Sequence, residues 1–345
     1  MLSGAFAGLI AAGITSGMDG VRGLLAWRVS YLPDPGLMRF ILSDGIPYPR
    51  LRPGELELML SEQWLFIIEG AMTVAIALAA FFILPDFPAN TKWLSEQERA
   101  LAMWRLEVDA AGEEDWKSSS EQSLVDGFKM IMKDPKNWIL TVLVYGAASA
   151  ISINAFFPTV VASFGKDRIT TLFLTAPPYL FACIVCAGVA WNADRMMERY
   201  WHTVIPLAGS LMGFIISCAA TGIGPRYFGA MIMLPGIYTG FNMAMVWTAN
   251  TMYRPAAKRA AAVAFVNAFS TICSIYGSYL YPNDAGPRFV LAFSVNAGMA
   301  LLAILAATVL HFVLKRENRK LELEEQEAER AGQADAVGKG FRYLT

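Results

Sequence analysis

Five asparagines, Asn154, Asn242, Asn250, Asn267 and Asn296, stand in otherwise apolar stretches, and Tyr179, Trp247 and Thr175 occupy comparable settings. Amides and phenols so placed hydrogen-bond a polar organic solute without making or breaking its bonds. For any one of them the plain structural role is an interhelical hydrogen bond, worth about 0.6 kcal/mol. As a set they suit a polar cavity for a neutral or anionic ligand, and Asn154, Tyr179, Asn242, Trp247, Asn250 and Asn267 are the cavity candidates. A second grouping, "NADRMMERYWH", brings Asp194, Arg195, Glu198 and Arg199 into one short turn. Charges of both signs between two helix ends are favoured by the helix dipoles. Such a turn is either a latch that holds one conformation or a basic loop that only sets topology. Glu69 is the one carboxylate inside an apolar span. A buried carboxylate there is a proton-site candidate, while its place near the start of the span also allows it to face water.

Other chemistries lack their residues. Two histidines, His202 and His311, cannot form HExxH or a His-based metal cluster. Cys183 and Cys186 make a CxxC inside an apolar stretch with no second pair, a packing pattern more than a zinc or redox one. There is no glycine-rich phosphate loop, no GxGxxG and no GxSxG. Neither a metal nor a cofactor is expected, and nucleic acid is not an expected partner. The inventory points away from an enzyme.

The elements that must carry these residues are helices in lipid. Hydrophobic residues make up 55% of the 345 and charged ones 17%, and after Asn137 the charges cluster at intervals of one membrane-spanning helix. Eight spans are predicted: Leu2 to Met18, Trp64 to Leu84, Trp138 to Phe164, Ile169 to Ala193, Thr203 to Thr221, Tyr227 to Met252, Ala260 to Tyr281 and Phe289 to Leu314. Helices are required because unpaired backbone is costly in lipid. The fold class is therefore all-α and polytopic. Pro177-Pro178 and Pro235-Gly236 are expected to break or bend two spans. Lys and Arg number seven in the Pro85 to Lys136 loop, two in the Asp194 turn, three in 253–259 and four in 315–320, against four on the opposite side when the opening stretch is set aside. The positive-inside rule then puts both termini in the cytoplasm. Within 85–137, a connector without enough apolar residues for a core, Ser95 and Glu98 form a capping-box pattern ahead of an amphipathic helix. A charged tail fills 315–345. At the other end, "LSGAFAGLIAAGITSG" has no basic leader, so a cleaved signal peptide is the weaker reading.

The strings "LPDFP", "TKWLSEQERALA", "LTAPPYLFA", "ADRMMERYWH" and "YGSYLYPNDAGPRF" resemble the major facilitator superfamily, and within it the fungal anion:cation symporters that include allantoate, nicotinic acid, pantothenate and biotin permeases. The resemblance implies twelve helices in two halves around a central cavity, with the eight spans here standing for helices five to twelve and the first four absent. On that pattern 1–28 and 64–84 are the last two helices of the N-terminal half, and 138–314 is the six-helix C-terminal half. It also implies that Asp194, Arg195 and Arg199 form the cytoplasmic gating loop. Joining Arg28 to Trp64 restores the family-like "LLAWRWLFIIEG", so the proline- and charge-rich segment 29–63 is expected to be an extracellular insertion, read as a translated intron. A genuine extracellular loop is the alternative. The expected function is plasma-membrane uptake of a small organic anion or vitamin-like solute, coupled to protons, by alternating access. Two rivals stay open: a truncated, non-transporting product, and a membrane receptor or enzyme.

Overall fold

The structure is a computed structural model. It describes residues 70–84, 91, 94–109, 123–162, 165, 168–277, 279–282, 288–330 and 342–345. The predicted span Leu2 to Met18, the segment 29–63 and Glu69 lie outside these residues.

All regular structure among the described residues is helical: α1 (Gly70–Ile83), α2 (Glu96–Asp109), α3 (Leu124–Lys133), α4 (Pro135–Ile151), a 3-10 turn (Ser152–Phe156), α5 (Phe157–Ala162), α6 (Arg168–Met196), α7 (Tyr200–Ala219), α8 (Ile223–Thr251), α9 (Ala256–Thr271), α10 (Cys273–Gly277) and α11 (Val290–Arg330). Among the described residues six stretches are long and apolar enough to cross a membrane: Pro135–Asn154, Phe173–Met196, Tyr200–Ala219, Ile223–Thr251, Ala256–Gly277 and Val290–Glu327. They fall on the last six predicted spans. The chain is a multi-pass membrane protein.

Two compact units divide the chain, one comprising 101–165 and 177–345 with Met1 and Leu2, the other 3–100 and 166–176. In the second, the Ser95 capping box forms. The Glu98 backbone amide donates to Ser95 Oγ (3.3 Å), while the Ser95 amide and hydroxyl both donate to Glu98 Oε2 (3.0 and 2.8 Å). The hydroxyl, and then the amide, hold the Glu98 carboxyl below the usual glutamate range.

In the larger unit six consecutive spans alternate in direction, so α4, α7 and α9 begin at the end of the bundle where α6 and α8 finish. This end carries Asp134, Asp194 and Arg254, and we call it the near end. α4 packs on α8, α9 and α11, and α7 packs on α8 and α11. Leu140, Leu143, Val144, Leu207, Trp247, Val266, Leu310 and Leu314 form the buried core among them. The α7–α8 seam is drawn tight by small residues, since a Cβ on Gly236 would stand 2.4 Å from the Pro206 carbonyl oxygen and one on Gly213 2.7 Å from that of Gly229. In lipid, close approach of this kind replaces the hydrophobic drive that holds soluble helices together.

The expected proline breaks do not interrupt the helices. α6 runs through Pro177 and Pro178, and α8 through Pro235, without leaving the α-helical form. The interruption falls at "SINAF", between α4 and α5, where no proline or glycine stands. At the other extreme, α11 is 41 residues long, about 60 Å at 1.5 Å per residue, so its charged second half projects well beyond the hydrocarbon layer.

Candidate functional site

Asn154 sits in the 3-10 turn, where the path of the first span changes and its side chain projects toward α6 and α8. Its Oδ1 accepts two hydrogen bonds, from the Tyr179 hydroxyl on α6 (2.6 Å) and from the Tyr238 hydroxyl on α8 (2.7 Å). Phe157 meets the Tyr179 ring edge-on at 5.5 Å, and the two tyrosine rings lie 6.2 Å apart. Tyr179 is 4% exposed, whereas Asn154 is exposed. With both lone pairs of its carbonyl taken, Asn154 retains an amide NH2, two donors on an exposed group midway between three spans. Tyr238 stands halfway along α8, near the middle of a 29-residue helix. One turn further, Asn242 Nδ2 reaches Cys186 Sγ at 3.5 Å, extending a polar strip between α6 and α8. On the same first span Ser149 is hydrogen-bonded to the Tyr276 hydroxyl of α10.

The other cavity candidates lie elsewhere. Asn250, half-buried, and Trp247 are in the last two turns of α8, and Asn267 is exposed on α9, where its backbone carbonyl accepts the hydroxyls of Ser270 (2.7 Å) and Thr271 (2.9 Å). Trp247 is fully buried and its indole N–H donates to the Leu344 carbonyl (3.0 Å). The chain's last residues thus run back along α11. Arg342 pairs with Glu325 (2.5 Å), Tyr343 exchanges hydrogen bonds with the Asn318 amide (2.8 and 2.9 Å), and Lys136 sits 5.0 Å above the Tyr343 ring. Asn296, buried, donates to the Tyr281 hydroxyl (2.7 Å), a structural tie between α11 and the segment that follows α10.

In the turn between α6 and α7, Met197 takes a left-handed backbone (φ 52°) and Arg199 donates to Asp194 Oδ1 at 2.6 Å. The Arg199 side chain is 7% exposed and that of Asp194 is 69% exposed, so a buried cation is tethered to a wet carboxylate. Arg195 is exposed, 5.7 Å from the Trp191 ring. A second set locks the same corner: Glu198 accepts from His202 (2.6 Å) and from the Trp201 amide (2.7 Å), and His202 meets Asn192 (2.9 Å). Sequence reading missed Tyr238, Ser149, Tyr276 and the His202 pairing. Tyr238 precedes Asn242 by one helical turn and shares its face, a spacing that could have flagged it. Among the described residues no three His, Cys, Asp or Glu side chains gather as metal ligands.

The chain is 28% identical over 265 residues to the MFS transporter prlL of a fungal species, covering 75% of this chain and 52% of that relative. It is 28% identical over 332 residues to the MFS-type transporter cnsO of Penicillium expansum, covering 92% and 56%. It is 25% identical over 263 residues to a protein of Agrobacterium vitis named for tartrate transport, covering 75% and 55%. The chain thus spans about half the length of the curated relatives it matches. A family model described as the Major Facilitator Superfamily matches residues 58–278, from the segment before α1 through the spans that carry Asn154, Tyr179 and Tyr238. With all-helical spans in sequence order and that family signature running through them, the chain belongs to the Major Facilitator Superfamily.

Proposed function

We propose that this chain serves secondary active transport of a small organic anion, coupled to protons, with the solute held between the broken first span, α6 and α8. The observation that carries the proposal is the Tyr179–Asn154–Tyr238 cluster. Two phenols fix an exposed amide at mid-bundle on a helix that departs from the α-helical form at that point. Non-helical backbone at membrane depth is tolerated where it is buried in protein or lines a cavity, and transporter helices use such breaks at their solute sites. Donor groups without fixed charge suit a carboxylate that must bind and then leave. The tartrate named for the Agrobacterium vitis relative is a solute of that chemistry.

In this reading Asn242, Asn250, Asn267 and Trp247 line or flank the path, and Glu69 carries the proton. Asp194, Arg195 and Arg199 gate the near end, which faces the cytoplasm of a plasma-membrane protein of the anion:cation symporter type. The test is counterflow of radiolabelled tartrate, and of a panel of monocarboxylates, into proteoliposomes with and without an inward proton gradient. Accumulation that rises with the gradient is expected. Equal entry into protein-free vesicles overturns the proposal.

A further inference from the structure

Away from the polar strip, the near end holds a cleft of about 600 Å³ whose lining includes Lys133, Lys136, Arg254, Lys258, Asp134 and Glu317. These residues come from four separate places in the chain: the end of α3, the start of α4, the start of α9 with the turn before it, and the projecting half of α11. The lining cations outnumber the lining carboxylates four to two, and both carboxylates are already engaged. Asp134 Oδ2 accepts from Lys258 Nζ at 2.7 Å while its Oδ1 caps α4 through the Lys136 amide (3.0 Å). Glu317 pairs with Lys320 at 3.3 Å. Two helices begin at the cleft. α4 starts at Pro135 behind its Asp134 cap, and α9 starts after Pro255. Met130 and Val313 supply apolar wall beside the charges. The cleft sits where α11 passes from the apolar run ending at Leu314 to the charged run beginning at Lys315.

We infer that this cleft binds a phosphomonoester anion, which can be the headgroup of a phosphorylated lipid or a free phosphate ester. Convergent cations recognise a dianionic phosphate through charge-assisted hydrogen bonds, and basic pockets between spans at a membrane surface bind phosphorylated headgroups. A loop whose basic residues only set topology needs no convergence of separate segments. The site is independent of the solute the chain carries and of which face of the membrane the near end occupies.

The test uses the full chain in phosphatidylcholine nanodiscs containing phosphatidylinositol 4-phosphate, with bound lipid counted by native mass spectrometry and inositol 1,4-bisphosphate as the soluble competitor. One phosphoinositide per chain is expected. Lys133→Gln with Arg254→Gln should weaken retention at least about tenfold, and the charge-keeping pair Lys133→Arg with Arg254→Lys should hold it. Lys129→Gln, the same charge change on an exposed lysine of α3 outside the cleft, should leave it unchanged. Displacement by inositol bisphosphate assigns the site to the phosphate ester in either form, and its failure to displace assigns it to the lipid. The inference is overturned if the parent chain holds neither ligand, or if Lys129→Gln costs as much as the cleft pair.

Discussion

Gly236→Ala adds a single methyl group at the α7–α8 seam, and its consequence can be worked from the structure. The new Cβ would lie 2.4 Å from the Pro206 carbonyl oxygen, 2.7 Å from the Ser210 amide nitrogen and 2.8 Å from Ser210 Cβ. The nearest of these is 1.0 Å inside the 3.4 Å at which ordinary contact begins, and it is backbone, so no side chain can swing away. α7 and α8 must separate by a comparable distance along the seam where Gly213, Gly229 and Gly240 also sit. Overpacking of this kind costs about 1–3 kcal/mol. Better helix propensity returns up to about 1 kcal/mol of that. With the full return, a net loss of up to about 2 kcal/mol should lower Tm by up to about 8 °C, at about 2–4 °C per kcal/mol for a unit of this size. The assay is thermal unfolding in detergent followed by tryptophan fluorescence, with Gly298→Ala as the matched change. No atom outside its own helical turn lies within 4 Å of a Cβ at Gly298, so that substitution should be neutral or stabilising. If Gly236→Ala melts at or above the parent temperature, the close backbone approach of α7 and α8 is refuted.

Three further outcomes follow from named contacts. Asn154→Leu removes the acceptor of two phenols and should destabilise by about 1–3 kcal/mol, more than Tyr179→Phe or Tyr238→Phe alone, by the same melting assay. Because the Glu98 carboxyl is held below its usual range in the folded chain, its share of helix capping is complete above that range and lost as pH falls through the lowered value. Carbon-13 NMR should therefore find Glu98 titrating below other exposed glutamates, and Ser95→Ala, which removes the hydroxyl but keeps the amide donor, should return it part of the way. Trp247→Phe deletes the hydrogen bond to Leu344, worth about 1 kcal/mol, so carboxypeptidase should release the last residues about fivefold faster.

Hydropathy made six spans legible because each must supply roughly 20 apolar residues, and no other rule of the membrane is so strict. The capping box was legible for a similar reason, since Ser95 and Glu98 satisfy each other locally. The break at Ser152–Phe156 was hidden, because prolines were the obvious breakers and this turn has none. Pro158 stands just beyond it and offers no N–H to the Asn154 carbonyl four residues back, and the Asn154 side chain finds partners 25 and 84 residues away. Tyr238 escaped notice because a tyrosine in an apolar run reads as packing until its hydroxyl is seen to have a task. Trp247 was chosen by its position in a span. Its link to Leu344 joins residues 97 apart, and nothing in the composition of 331–341 announces that the next four residues dock.

The most direct measurement is substituted-cysteine accessibility at positions 154 and 238 in a background where Cys183, Cys186, Cys218 and Cys273 are replaced by alanine. If these positions line a solute path, a charged, water-soluble methanethiosulfonate should modify both, and saturating tartrate or another bound carboxylate should slow the reaction. Modification by lipid-soluble reagents alone, or rates that no carboxylate changes, would contradict a solute path through the Tyr179–Asn154–Tyr238 cluster.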